Sequence, residues 1–477
     1  MESLLGIILG YAFWLVVSAT LGASLTGESS SSVTFAIILS SIATIGISTG
    51  VQRFLGKALG NNNQAVFAAI SKFALVFTIL TMVVSSVAVI FLSDLIVQIF
   101  HVSASMILVI ILTSVFYSVT QSLRAAIISD SKTRILVVVL IASSVIRFAS
   151  LIPVYLTNLG SEGITLSYLS FYIASALLSL FFLRKYIFTG KFNTKLFNTR
   201  AILTSSLSGW LPNAIYVIGT QSGLLFILSI SGATEAGLYF IAFSIFSAVS
   251  ALPMSLLAMS YPVMSGMKEG QERLLWQALR LGLFSTVPIS LAIAVNPASV
   301  LSLFGKEFVG GQLILSLLSI CLIPVEINRG ITNLVYANAR YKQVLVLGIF
   351  PSITRLTSYI ILVPLYGNIG AAMAFLLGSF VGLAVAMAIV LKNHYVFPNR
   401  NLIMIGVIPG VLAGIFYFVN IHPVLSSLSI ILGSYFLLAR FHAVTYEEIA
   451  GGIQTIFINQ NHIRRPLLLI AKAIFAK

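Results

Sequence analysis

Arg147, Arg329 and Arg355 each stand inside an apolar run long enough to cross a bilayer. A guanidinium at that depth costs at least about 2.5–3.5 kcal/mol on insertion scales, so it must face protein, water or a ligand. Arg147 and Arg355 lie 13 residues beyond the basic residues Arg134 and Lys342. At helical rise that is about 20 Å, near the bilayer midplane. Glu326, three residues before Arg329 and on the same helix face, can neutralise it locally. Apart from Asp94, two residues from the end of its run, hydropathy places no other carboxylate within a span, so at depth three cations face one anion. One reading is an internal network of ion pairs and helix-end carbonyls. The other is a hydrated cavity that receives an anion, and the planar fork of arginine suits phosphate. Arg53 and Arg124 extend the cationic set, while Gln121, Trp210, Asn213 and Gln221 offer hydrogen-bonding and stacking groups. For each of these polar residues, interhelical hydrogen bonding is the simpler role.

No catalytic constellation accompanies these charges. The chain has no P-loop, GxSxG, HExxH or DFG-like set, and its five histidines are scattered over connections and the tail. The single cysteine, Cys321, lies in an apolar span and offers no disulfide or thiolate metal site. Neither an enzyme nor a cofactor is expected. An ATP-driven machine would need a soluble nucleotide domain, which the sequence does not contain.

The elements that must position these residues are membrane helices. With 58% hydrophobic and 8% charged residues, and a mean hydropathy of +1.06, the apolar surface cannot be hidden in a water-soluble core. The apolar runs are continuous rather than alternating, which excludes a barrel. The class is an all-α polytopic membrane protein. Fourteen spans are expected: 4–21, 33–51, 73–96, 106–123, 135–155, 164–183 and 203–230, then 236–260, 281–303, 313–337, 344–364, 369–391, 402–419 and 424–438. The span holding Arg329 should kink near Pro324. With that count, 23 of 27 basic residues fall in connections on one side or in the tail. The other side holds Lys306 with Glu28, Asp94, Glu162, Glu235 and Glu307. Both termini are therefore expected in the cytoplasm. The net charge of +15 is a topology signal of this kind, and no nucleic-acid partner is expected.

The chain also repeats itself. TRILVVVLIASSVIRFASLIPVYLTNLGSEGITLSYLSF, from Thr133, aligns about 208 residues later with the stretch from Tyr341. Arg134 then faces Lys342, Arg147 faces Arg355 and Ser150 faces Ser358. After a one-residue slip, Gly160 faces Gly367 and Gly163 faces Gly370. Two pseudo-symmetric six-helix lobes follow, with the boundary in the basic connector 184–200. The expected divisions are a first lobe at 1–190, a second at 191–395, two extra helices at 396–441, and an amphipathic cytoplasmic tail at 442–477.

Three segments give this organisation a resemblance. GISTGVQRFLGKALGNNNQA at Gly46–Ala65, SGATEAGLYFIAFSIFSAVSALPMSLLAMSYPVMSGM at Ser231–Met267 and LVPLYGNIGAAMAFLLG at Leu362–Gly378 are similar to the polysaccharide-repeat flippases of the Wzx type. Their superfamily also holds the lipid II flippases and MATE exporters. The resemblance implies two six-helix lobes around a central cavity, plus two C-terminal helices. It also implies a function in a cell membrane: moving a polyprenyl-diphosphate-linked oligosaccharide to the outer leaflet for surface polysaccharide or glycoprotein assembly. Arg53, Arg147, Arg329 and Arg355 would meet the diphosphate. Implied partners are the lipid-linked oligosaccharide, membrane lipids, and a glycan polymerase or transferase. The chain departs from MATE exporters in having no buried Asp or Glu in spans one to six and in having fourteen spans rather than twelve.

Two alternatives remain at this level. A small-solute or drug porter, or a lipid II-type flippase, would use the same repeats and midplane polar groups. A non-transporting scaffold for glycan-assembly enzymes would have no reason to place an arginine at the midplane of both halves.

Overall fold

The computed structural model describes residues 2–130, 132–188, 193–267, 269–396, 399–419, 421–444 and 450. Among them the chain is helical, with no strand. Among the described residues twelve helices are long and apolar enough to cross a membrane, and the protein is an all-α polytopic membrane protein. Two of the twelve, within Glu2–Ala43 and Tyr341–Lys392, are too long for one crossing and are interrupted by non-helical glycines, Gly22 and Gly367. Each piece is close to the roughly 20 residues a crossing needs. The tail expected at 442–477 lies almost entirely outside the described residues.

The helix that holds the second span begins earlier than hydropathy indicates. Residues 22–32, TGESSSS included, are expected as a connection, but the helix resumes directly after Gly22. Most hydroxyls of the polar run bond within the helix: Thr26 Oγ1 donates to the Gly22 carbonyl (2.7 Å), Ser29 Oγ to Leu25 (2.7 Å) and Ser32 Oγ to Glu28 (2.9 Å). That bonding makes burial of Thr26, Ser29, Ser30 and Ser32 tolerable. Glu28, expected outside the spans, therefore sits half-buried on a helix. The expected kink near Pro324 is a helix break at Cys321, between Gln312–Ile320 and Leu322–Ala337. The proline ring clashes one turn upstream, at the Ile320 carbonyl, which sets the break there.

The repeat is visible in the backbone. Gly22 (φ 86, ψ 175) and Gly232 (φ 90, ψ 176) share one conformation, and Gly160 and Gly367 share φ values of 58 and 57. All four lie where side chains are disfavoured, and each lets one helix follow another with almost no loop. The helices after Gly22 and Gly232 cross at small residues. A Cβ on Gly27 would stand 1.9 Å from the Ala233 carbonyl oxygen, and one on Gly237 would stand 2.0 Å from that of Ala23. Ala-x-x-x-Gly thus occurs in both copies, 210 residues apart, and each copy packs on the other.

Two compact units divide the chain: residues 1–240 with 355–371, and residues 241–354 with 372–477. The first thus takes in 191–240 and 355–371, segments that sequence assigns to the second lobe. The physical reason is local packing. Trp210 Nε1 donates to the Ser41 carbonyl (2.8 Å), and Tyr359 packs on Gly223. The second unit is built on Gln271–Val295, against which Asn399–Phe418 and Pro423–Arg440 pack. Asn296 Nδ2 donates to Ser426 (2.8 Å) and Ser427 (3.0 Å), and Tyr435 Oη to the Ser285 carbonyl (2.8 Å).

The turns give a direct test of sidedness. In a cysteine-free background, Asn158→Cys and Thr234→Cys, both exposed, should react with an impermeant maleimide added outside cells. Asn62→Cys, exposed beside Arg53 and Lys57, should react only after permeabilisation. The reverse pattern would invert the expected topology.

Candidate functional site

In the first unit, Arg147 is placed by the Thr133–Ala149 helix and is 3% exposed. Four rings enclose its guanidinium, whose carbon lies 4.7 Å from the Phe13 centroid, 4.9 Å from Phe171, 5.3 Å from Tyr168 and 5.8 Å from Phe148. Nη2 donates to the Leu9 carbonyl (2.9 Å), and Nε has no hydrogen-bond partner. The cation is held by ring faces and one carbonyl rather than by a carboxylate. Three helices supply the cage, so Arg147 also ties the first, fifth and sixth spans together.

The cage continues as an aromatic string. Tyr168 contacts Tyr172 (5.6 Å), Tyr172 contacts Tyr117 (5.2 Å), and the Tyr117 hydroxyl accepts from Gln121 Nε2 (3.0 Å). On the other side Trp14 packs on Tyr168 (5.5 Å) and Phe240 (4.7 Å). Gln121 and Arg147, singled out separately in the sequence, are thereby joined. The aromatic residues that join them were not singled out, because aromatic residues are common in membrane helices and these come from distant segments. Arg53 is exposed on the short Gln52–Gly60 helix, and Arg124 is half-buried one turn beyond Gln121. The Ser129 hydroxyl donates to the Gln52 carbonyl (3.3 Å), bringing the ends of their two helices together.

Arg355 is 4% exposed, matching Arg147 in burial as well as in repeat position. One turn on, Tyr359 is fully buried against Gly223, with its hydroxyl 3.5 Å from the Gly219 carbonyl. Leu9 and Phe13, which contact Arg147, stand 210 residues before Gly219 and Gly223. Corresponding spans therefore meet in both copies, with different side chains. Gln221 is half-buried on that same Thr199–Ser231 helix, and Asn213 is exposed there.

The second unit holds the expected local neutralisation. Glu326, fully buried, accepts through Oε1 from Arg329 Nη1 (2.6 Å) and from Ser250 Oγ, while Arg329 Nη1 lies 3.3 Å from Ser250 Oγ. Oε2 is buried without a hydrogen-bond partner. The Arg329 side chain keeps 24% of its surface exposed. Breaking a buried pair from one side leaves an uncompensated charge and costs about 3–5 kcal/mol. Arg329→Leu should fall at the lower end of that range, because the arginine is not fully buried. Pairing it with Glu326→Leu should recover most of the loss, read as the thermal midpoint of purified protein. Equal losses in the single and double variants would deny the coupling.

Among the described residues no cluster of His, Cys, Asp or Glu could hold a metal ion.

No family model matches the sequence, and no curated protein matches it. Several solved structures are similar in fold. One is the lipid II flippase MurJ in an inward closed conformation, with a TM-score of 0.72 and 15% identity over 92% of this chain and 98% of that one. Another is an inward-facing multidrug resistance transporter of the MATE family in the MOP superfamily, with a TM-score of 0.63 and 14% identity over 82% and 94%. A third is a MOP superfamily transporter from Pyrococcus furiosus, for which reversed polarity of the binding pocket suggests a different function (TM-score 0.59, 13% identity, 82% and 93%). The protein thus has the fold of these transporters and flippases.

Proposed function

We propose that this protein is a flippase that moves a polyprenyl-diphosphate-linked oligosaccharide between membrane leaflets by alternating access. The observation that carries this reading is a buried arginine at the same position of each repeat, Arg147 and Arg355, in a chain that shares its fold with a lipid II flippase over nearly its full length. A fixed buried cation costs free energy that an apolar residue would not. Placed in both repeats, such cations offer a diphosphate a charge-assisted partner in each copy, and a state that exposes them is favoured when the diphosphate binds. Arg53, Arg124 and Arg329 supply further positive charge, and Gln121, Asn213, Gln221 and Glu326 supply polar contacts to the sugar. In this reading the protein lies in the plasma membrane with both termini cytoplasmic, and hands its substrate to a glycan polymerase or transferase.

The test is transport in vesicles that hold the purified protein. A fluorescent polyprenyl-diphosphate disaccharide should cross at least about tenfold faster than in protein-free vesicles, and faster than the matching monophosphate, which offers the arginines one phosphate fewer. A second reading, a small-solute porter, draws on Glu326, whose buried and partnerless Oε2 has the acceptor capacity to bind a cation. Uptake of a quaternary ammonium dye without any movement of the diphosphate lipid would select that reading instead.

A further inference from the structure

The second unit contains a cavity that transport leaves without a role. It has a volume of about 720 Å³ and lies between the first turns of Gln271–Val295, Asn338 at the end of Leu322–Ala337, and the connection at Tyr395 and Val396. Arg273, Trp276 and Arg280 line it from one helix. Their spacing of three and four residues puts them on one face, about 10 Å from first to last. Arg273 is exposed, Arg280 half-buried and Trp276 6% exposed, so the wall runs from solvent into the protein. Opposite, the Tyr395 hydroxyl is buried without a hydrogen-bond partner, and the Arg340 guanidinium lies 5.7 Å from its ring. Glu272 is already engaged, since its Oε2 accepts from the Val396 backbone N–H (2.8 Å) and so holds the connection in place as a wall.

Depth in the membrane narrows the ligand. Arg280 is followed at once by Leu281, Gly282, Leu283 and Phe284, so the inner end of the cavity meets the level where the polar surface gives way to the apolar span. Leaflet phosphates lie at that level, where tryptophan is favoured and long basic side chains reach headgroups. Two guanidinium groups on one face match phosphate oxygens, and the cavity sits on the Lys/Arg-rich side of the chain.

We propose that this cavity binds the phosphate headgroup of an anionic phospholipid from the leaflet on the basic side. The headgroup phosphate is held between Arg273 and Arg280, its polar end faces Asn338 and Tyr395, and its acyl chains pass down beside the apolar part of Gln271–Val295. A bound lipid fastens the 393–396 connection to that helix.

The experiment compares thermal midpoints of the detergent-purified full chain on adding phosphatidylglycerol, phosphatidylcholine, or millimolar glycerol phosphate. Phosphatidylglycerol should raise the midpoint by about 3 °C or more, and the other two should leave it unchanged. Arg273→Gln/Arg280→Gln should lose the rise. Lys57→Gln/Arg134→Gln, which removes two exposed charges elsewhere on the basic side, should keep it. Should the first double variant fold poorly, Arg273→Gln alone, at an exposed position, is expected to weaken the response at least twofold in lipid concentration. A full rise in Arg273→Gln/Arg280→Gln, or equal loss in both double variants, overturns the site. A rise with glycerol phosphate equal to that with lipid overturns the lipid assignment and makes the ligand a soluble phosphate ester.

Discussion

Gly27→Val and Gly237→Val should each remove nearly all folded protein from the membrane, whereas Gly10→Ala and Gly56→Ala should not lower its level. At Gly27 the nearest atom to a new Cβ is the Ala233 carbonyl oxygen at 1.9 Å, followed by Gly237 N at 2.5 Å; at Gly237 it is the Ala23 carbonyl oxygen at 2.0 Å. These neighbours are backbone atoms of helices and cannot rotate aside. Relief requires moving one helix off another by more than 1 Å along the crossing. Overpacking commonly costs about 1–3 kcal/mol where side chains can yield, and more is expected where only backbone can. Gly10 and Gly56 have nothing within 4 Å of a built Cβ, so alanine there reduces backbone freedom at no steric cost, worth about 0.5–1 kcal/mol in a helix. The measurement is the amount of monodisperse protein extracted in mild detergent. Normal yield of Gly27→Val would show that the two Ala-x-x-x-Gly segments do not need their close approach.

The second large effect separates stability from transport at Arg147. Arg147→Met removes the charge and keeps a long flexible side chain among Phe13, Phe148, Tyr168 and Phe171. It should leave the thermal midpoint equal or higher, since an apolar residue in place of a buried cation is often neutral or stabilising. Transport of the diphosphate lipid should nevertheless fall at least about tenfold, equivalent to 1.4 kcal/mol of lost interaction. Arg147→Gln loses the ring contacts without filling their space. It should reach the membrane at near-normal levels and fail to restore surface glycan in a flippase-deficient host, as should Arg355→Gln. Lysine at either position keeps the charge and loses the bidentate fork, so both Lys variants should be intermediate. Full transport by Arg147→Met would reduce this arginine to a structural tie between three helices. Full complementation by both Gln variants would remove the diphosphate clamp from the mechanism while leaving the fold untouched.

Several features needed only the one-dimensional pattern. The membrane class follows from apolar runs whose length matches a bilayer, because hydrocarbon thickness acts on each helix separately. Burial of Arg147 and Arg355 follows from their place in such runs, and the Glu326–Arg329 pair from a spacing of three residues on one helix. The matching positive φ of Gly160 and Gly367 agrees with an alignment made on residue types alone. The Ala-x-x-x-Gly segments at 23–27 and 233–237 were equally present in the sequence, but small residues are common in membrane helices, and nothing local marks the two that touch.

What only the tertiary structure decided are the partners. Hydropathy reads TGESSSS as a connection because it scores side chains against water. In the fold the hydroxyls of Thr26, Ser29, Ser30 and Ser32 donate to carbonyls three or four residues back, which makes burial of the helical polar run tolerable. The cage around Arg147 draws Phe13, Phe148, Tyr168 and Phe171 from three helices. Whether a buried cation faces rings, a carbonyl or an open cavity is a property of that convergence. The membrane penalises an unaccompanied charge wherever it occurs along the chain, so its burial is written locally. The free energy that offsets the penalty at Arg147 comes from its neighbour Phe148, from Tyr168 and Phe171 on the next span, and from Leu9 and Phe13 more than a hundred residues away, and only their packing in three dimensions brings them together.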